Sequence, residues 1–191
     1  MMKSNKALAR KILCGLLAAG VLGVSGSALA ATATYGINAG VEENINANLT
    51  YTDGTIDGFD YGLNAQGDYK QSKESKISLT TDNVNIIANK VGIQGEKWAV
   101  LTIGASNTND INISGKANGI LLKTGSNAEI TGNQVKISNE SKRALIEIDN
   151  GYKNMSRSAQ LIVKGKQIEL ESAGMIIDAK SRYESAKRVP V

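Results

Sequence analysis

The residues able to do chemistry are few, and the gaps among them are informative. The chain has no histidine and a single cysteine, Cys14. Ser-His-Asp and Cys-His nucleophilic catalysis are therefore excluded, as are the common zinc sites. Carboxylates remain. Glu169 and Glu171 stand two apart, a pairing from which glycoside hydrolysis could in principle draw its acid and base. Two acids at that spacing on one strand face are more simply a solvated outer surface. Asp53, Asp57 and Asp60 offer the oxygen ligands that calcium takes. They lack the EF-hand spacing, and Asp53-Gly54 and Asp57-Gly58 are turn signals. Phosphate-cradling glycine loops need a following helix and a Lys-Ser/Thr pair, and neither is present. Aromatic faces are the other candidates: Tyr51, Phe59 and Tyr69 gather beside the acidic stretch 31–69, and Trp98 stands further on. They could stack on sugars, although packing and capping explain them equally well. No catalytic residue, metal or cofactor is expected.

Any such side chain must be positioned by a repeat. A small residue followed by a large apolar one opens YGINAG (35–40), YGLNAQG (61–67), VGIQGE (91–96), NGILLK (118–123), RALIEI (143–148) and AGMIID (173–178). The small residues are Gly36, Gly62, Gly92, Gly119, Ala144 and Gly174, at intervals of 26, 30, 27, 25 and 30 residues. A period of this length means one supersecondary unit stacked on copies of itself. Between these phrases lie short segments with apolar residues two apart: Val84/Ile86, Ile111/Ile113, Val135/Ile137 and Ile168/Leu170. That is the period of a half-buried strand. Three strands recur per period, in triples 77–81, 84–88, 91–95; 99–103, 110–114, 119–123; 128–132, 134–138, 144–148; and 159–163, 167–171, 174–178.

The expectation is an all-β parallel β-helix, or β-solenoid, with three short strands per coil. It would have about four regular coils over 77–181. Residues 31–76 would form an N-terminal cap with one or two irregular coils, and 182–191 a basic tail. Asn38 and Asn64 occupy matching places and would form an amide ladder if their coils stack. At 144–148 the inward set is expected to be Ala144, Ile146 and Ile148, because burying Glu147 unpaired would be costly. Pro190 is the one proline, as befits strands that donate hydrogen bonds to both neighbours.

Residues 1–30 have the layout of a secretory signal peptide. A basic start (Lys3, Lys6, Arg10, Lys11) precedes an apolar run from Ile12 to Val24, and Ala28-Leu29-Ala30 closes it, with cleavage expected between Ala30 and Ala31. The run is too short for a membrane span. Four of the 22 basic residues lie there and none of the 18 acidic ones does, which leaves 18 of each in the remainder. A balanced chain without a basic, aromatic-studded patch or a known motif does not read as a nucleic-acid binder.

Taken together, the signal MKSNKALARKILCGLLAAGVLGVSGSALA and coils such as NDINISGKANGILLKTGS resemble the passenger region of Gram-negative autotransporters and large exported adhesins, in particular those of diderm Firmicutes. The resemblance implies a non-enzymatic protein at the cell surface, in the outer membrane or outside the cell, that presents its solenoid to a host or matrix component such as a glycan. It also implies an outer-membrane translocator, whose long alternating strands do not occur in this chain, so the chain is expected to be the front of a longer protein or a truncated frame. Two further readings are a carbohydrate-active β-helix enzyme, resembling pectate-lyase-like proteins, and a secreted assembly subunit that associates end to end.

Overall fold

A computed structural model of the chain describes residues 34–39, 46–49, 54–68, 70, 73–150 and 157–181, with backbone alone at 46–49 and 181. The expected signal peptide with its Ala30–Ala31 junction, the tail 182–191, Tyr51, Asp53 and Tyr69 lie outside the described residues.

The fold is a parallel β-solenoid of about five turns, with no helical element among the described residues. Its strands are β1 (Tyr35–Ala39), β2 (Asn46–Leu49), β3 (Thr55–Gln66), β4 (Ser75–Leu79), β5 (Asn83–Glu96), β6 (Ala99–Gly104) and β7 (Asp110–Gly115). They continue with β8 (Asn118–Lys123), β9 (Asn127–Thr131), β10 (Gln134–Asn139), β11 (Ile146–Asn150), β12 (Gln160–Lys164), β13 (Gln167–Ser172) and β14 (Ile177–Ser181).

Three ladders run along the axis, every pairing parallel. The first stacks the front half of β3, the front half of β5, β7, β10 and β13. The second stacks β1, the back halves of β3 and β5, then β8, β11 and β14. The third stacks β2, β4, β6, β9 and β12. Three strands per coil is therefore what the period predicted. One difference is that 84–88 and 91–95 are not separate strands. The backbone stays extended through the corner, so β5 runs unbroken over 14 residues, as β3 does over 12 beneath it. The irregularity expected in the first coils is seen as register shifts on either side of Phe59.

Alternation fills the interior with stacked columns. Ile56, Ile86, Ile113, Ile137 and Leu170 form one, Leu63, Ile93, Ile120, Ile146 and Ile177 another, and Leu79, Ile103, Ile130 and Val163 a third. Successive rungs lie about 4.8 Å apart, so like side chains rest on like and backbone groups pair above and below.

The repeated glycines have a steric origin. They sit at the corner between the first and second ladders, under the inward isoleucine of the next coil. A Cβ on Gly62 would lie 2.3 Å from Ile86 Cγ2 and 2.6 Å from the Gly92 carbonyl oxygen. This corrects the phrase alignment for the last two coils. Gly36, Gly62, Gly92 and Gly119 are in register, but Ile120 pairs with Ile146 and Ile146 with Ile177. Leu145 and Ile176 therefore occupy the glycine column, not Ala144 and Gly174. Of the set expected to face inward, Ile146 is buried and Ile148 packs on the core, while Leu145 is fully buried as well. Leu145 can enter because 140–145 leaves the strand conformation at that corner.

The two ends differ. Ile37 and Ile56, in the first described strands, are each 5% exposed, whereas Ile168 and Ile177, in the last, are 46% and 54% exposed.

Candidate functional site

The interior is filled by aliphatic columns, so chemistry is confined to the outer faces and corners. The most elaborate cluster lies where the second ladder turns into the third. Lys97 and Trp98 are both left-handed (φ 51° and 69°), and Thr124 and Gly125 repeat that geometry one coil on (φ 51° and 71°). The Trp98 amide donates to the Thr124 carbonyl at 3.2 Å. Gly125 is required beneath the indole, since a Cβ there would sit 2.8 Å from Trp98 Cδ1.

Arg157 covers the same ring, its guanidinium carbon 5.6 Å from the ring centroid, within cation–π range. Its Nη1 donates to Glu74 Oε1 at 2.5 Å, and Lys76 Nζ lies 3.0 Å from the other carboxylate oxygen. With its amide oriented to satisfy both neighbours, Asn127 accepts from Arg157 Nη2 at 2.9 Å. The Arg157 hydrogen bond, followed by that of Lys76, holds the Glu74 carboxyl below its usual range. One guanidinium thus ties the turn before β12 to the turn before β4. Trp98 Nε1 is buried here without an acceptor.

The residues singled out from the sequence do not converge. Trp98 is half-buried under Arg157, and Phe59 packs on the core beside Gly36. Asp57 is exposed, and Asp60 is paired with Lys90 at 2.8 Å. No group of three or more His, Cys, Asp or Glu that could hold a metal occurs among the described residues. Glu169 and Glu171 share one cation, Lys136 Nζ, at 3.0 and 2.9 Å. That lysine holds the Glu171 carboxyl low and is itself raised, chiefly by Glu171.

Cross-coil pairing is the rule for the surface charges. Lys123 reaches Glu96 at 3.2 Å and Lys164 reaches Glu129 at 2.7 Å, each one coil away. Local sequence carries no trace of the Arg157–Glu74 contact, because its partners are 83 residues apart. A lone Trp after Lys97 is the one local hint.

The fold defines the chain as a parallel β-solenoid. It matches no protein-family model, and no curated protein or solved structure is significantly similar to it.

Proposed function

We propose that this chain is a non-enzymatic, exported surface protein, an adhesin-like solenoid passenger that works through its outer faces. The observation that supports this reading is the filled interior: aliphatic columns leave the outside of the coils as the place for recognition. The carboxylates favour it over an enzyme. A general acid needs a raised pKa, whereas Glu171 and Glu74 are both held low by cations. The signal-like start and the half-exposed last coil fit a solenoid that is exported and then extended, by further coils or by a partner stacked on that end.

The assembly-subunit reading draws on the same open coil, and one experiment separates the two. Cells are fractionated, and the native polypeptide is sized by intact mass with its N-terminus read. A polypeptide starting at Ala31, much larger than this chain and held in the outer membrane, is the expected result. A short species free in the medium would replace the passenger reading with the assembly one, and a cytoplasmic species would overturn both.

A further inference from the structure

We infer that the corner between the first and second ladders is a binding ridge for an acidic polysaccharide; this deepens the surface reading above by naming a face and a ligand class. The observation is a contrast between cations on the sheet faces, which are paired, and those in the turns, which mostly are not and which gather at this corner over successive coils. Lys76, Lys123, Lys136, Lys164 and Lys180 are all engaged by carboxylates on the sheet faces. At this corner, three successive coils present Lys90, then Lys116, then Lys142 and Arg143, all exposed. Among the described residues Lys116, Lys142 and Arg143 form no ion pair, and Lys90 alone has one, with Asp60. Glu140 is the other acid on the ridge, so the cations are in excess.

The ridge is held on a fixed backbone. The Lys116 amide donates to the Ala88 carbonyl at 3.2 Å and the Ala117 amide to the Lys90 carbonyl at 2.8 Å. One coil on, Asn139 Nδ2 donates to the Ala117 and Arg143 carbonyls at 2.8 and 3.0 Å, and Ser141 Oγ donates to Ala117 at 2.8 Å. The turns that bear Lys90, Lys116 and then Lys142 with Arg143 belong to successive coils, the last through a wider turn over 140–145, and coils stack about 4.8 Å apart. That is close to the length of one pyranose unit in an extended chain, so a polyuronate laid along the corner meets roughly one cation per sugar. Unpaired charges in a row attract a polyanion without first breaking an existing pair. The aromatics at this corner, Phe59 and Tyr61, lie on the coil before Lys90, so Lys116, Lys142 and Arg143 have no stacking platform of the kind single-stranded nucleic acid uses on their own coils.

The test compares two triple variants of the full chain that lose the same charge. One is Lys116→Gln, Lys142→Gln and Arg143→Gln; the other is Lys76→Gln, Lys136→Gln and Lys164→Gln. Each is checked for folding by circular dichroism. Binding is measured to immobilised polygalacturonate, with dextran and duplex DNA as comparison surfaces, over a salt series. The ridge triple is expected to weaken polygalacturonate binding about ten-fold or more and to flatten its salt dependence, while the other triple stays within about two-fold of the parent. Equal losses in both triples, no loss in either, or tighter ridge-dependent binding to DNA would each overturn the inference. The passenger reading would survive any of these, because it fails only on the fractionation result.

Discussion

Asn64 donates its side-chain amide to Asn38 Oδ1 at 2.6 Å, across one rung of the second ladder. The same rung brings Tyr35 and Tyr61 together with ring centroids 5.4 Å apart. Each member repeats its partner's type, which is what a stack of like coils produces. Asn112 and Asn85 do the same on the first ladder, at 2.8 Å.

Because Asn64 is buried, its amide depends on that partner. Asn64→Ala should cost about 1 kcal/mol. The double variant with Asn38→Ala should cost no more than Asn64→Ala alone. Urea unfolding of the four species checks this, and simple additivity would show that the two amides are energetically independent.

The corner glycine is a matter of space, and a second glycine provides the contrast. Gly62→Ala drives a methyl against Ile86 Cγ2 and the Gly92 carbonyl and should cost about 3 kcal/mol. Gly58 is left-handed (φ 84°) but has nothing within 4 Å of the position a methyl would take, so Gly58→Ala should cost only about 1–2 kcal/mol of backbone strain. Thermal denaturation of both variants ranks them, and the reverse order would contradict the steric account.

Arg157→Gln should loosen the turn before β12 and lower stability by about 1 kcal/mol near neutral pH. Glu74 is depressed in the folded state, so its contribution is present above the unfolded carboxylate pKa and is lost as pH falls through the lower folded value. The gap between parent and variant should therefore narrow as pH drops below about 4.3. A gap that holds constant through acid titration would assign the effect to the Trp98 stack alone.

One column offers a test of position within the stack. Ile120 and Ile177 occupy the same inward column, fully buried in one coil and half-exposed in the other. Ile120→Ala should cost about 3–4 kcal/mol and Ile177→Ala about 1 kcal/mol or less. Similar losses would mean that the last coil is covered in solution.

Much of this architecture is legible because the solenoid writes its geometry into short-range spacing. Pairs such as Ile111/Ile113 and Val135/Ile137 mark the inward face, and the glycine phrases through Gly119 set the rungs. Legibility fails where the chain breaks its own rule. At Leu145 a large side chain enters the glycine column after the backbone leaves the strand, so the last two phrases misalign on Ala144 and Gly174. The turn before β12 fails differently. Arg157 acts on residues brought near by stacking, and no local period encodes a contact between coils that far apart. The ridge of Lys116, Lys142 and Arg143 is hidden because its members lie in turns, where the sequence alone does not tell which corner each turn serves.

The unlike ends give this molecule a polarity of assembly. Strand edges are open at both described ends, but only the last described coil also leaves inward apolar side chains such as Ile168 and Ile177 half-exposed. Strands laid on that coil would meet apolar rows already in register, so the exposed face acts as a mould as well as an edge.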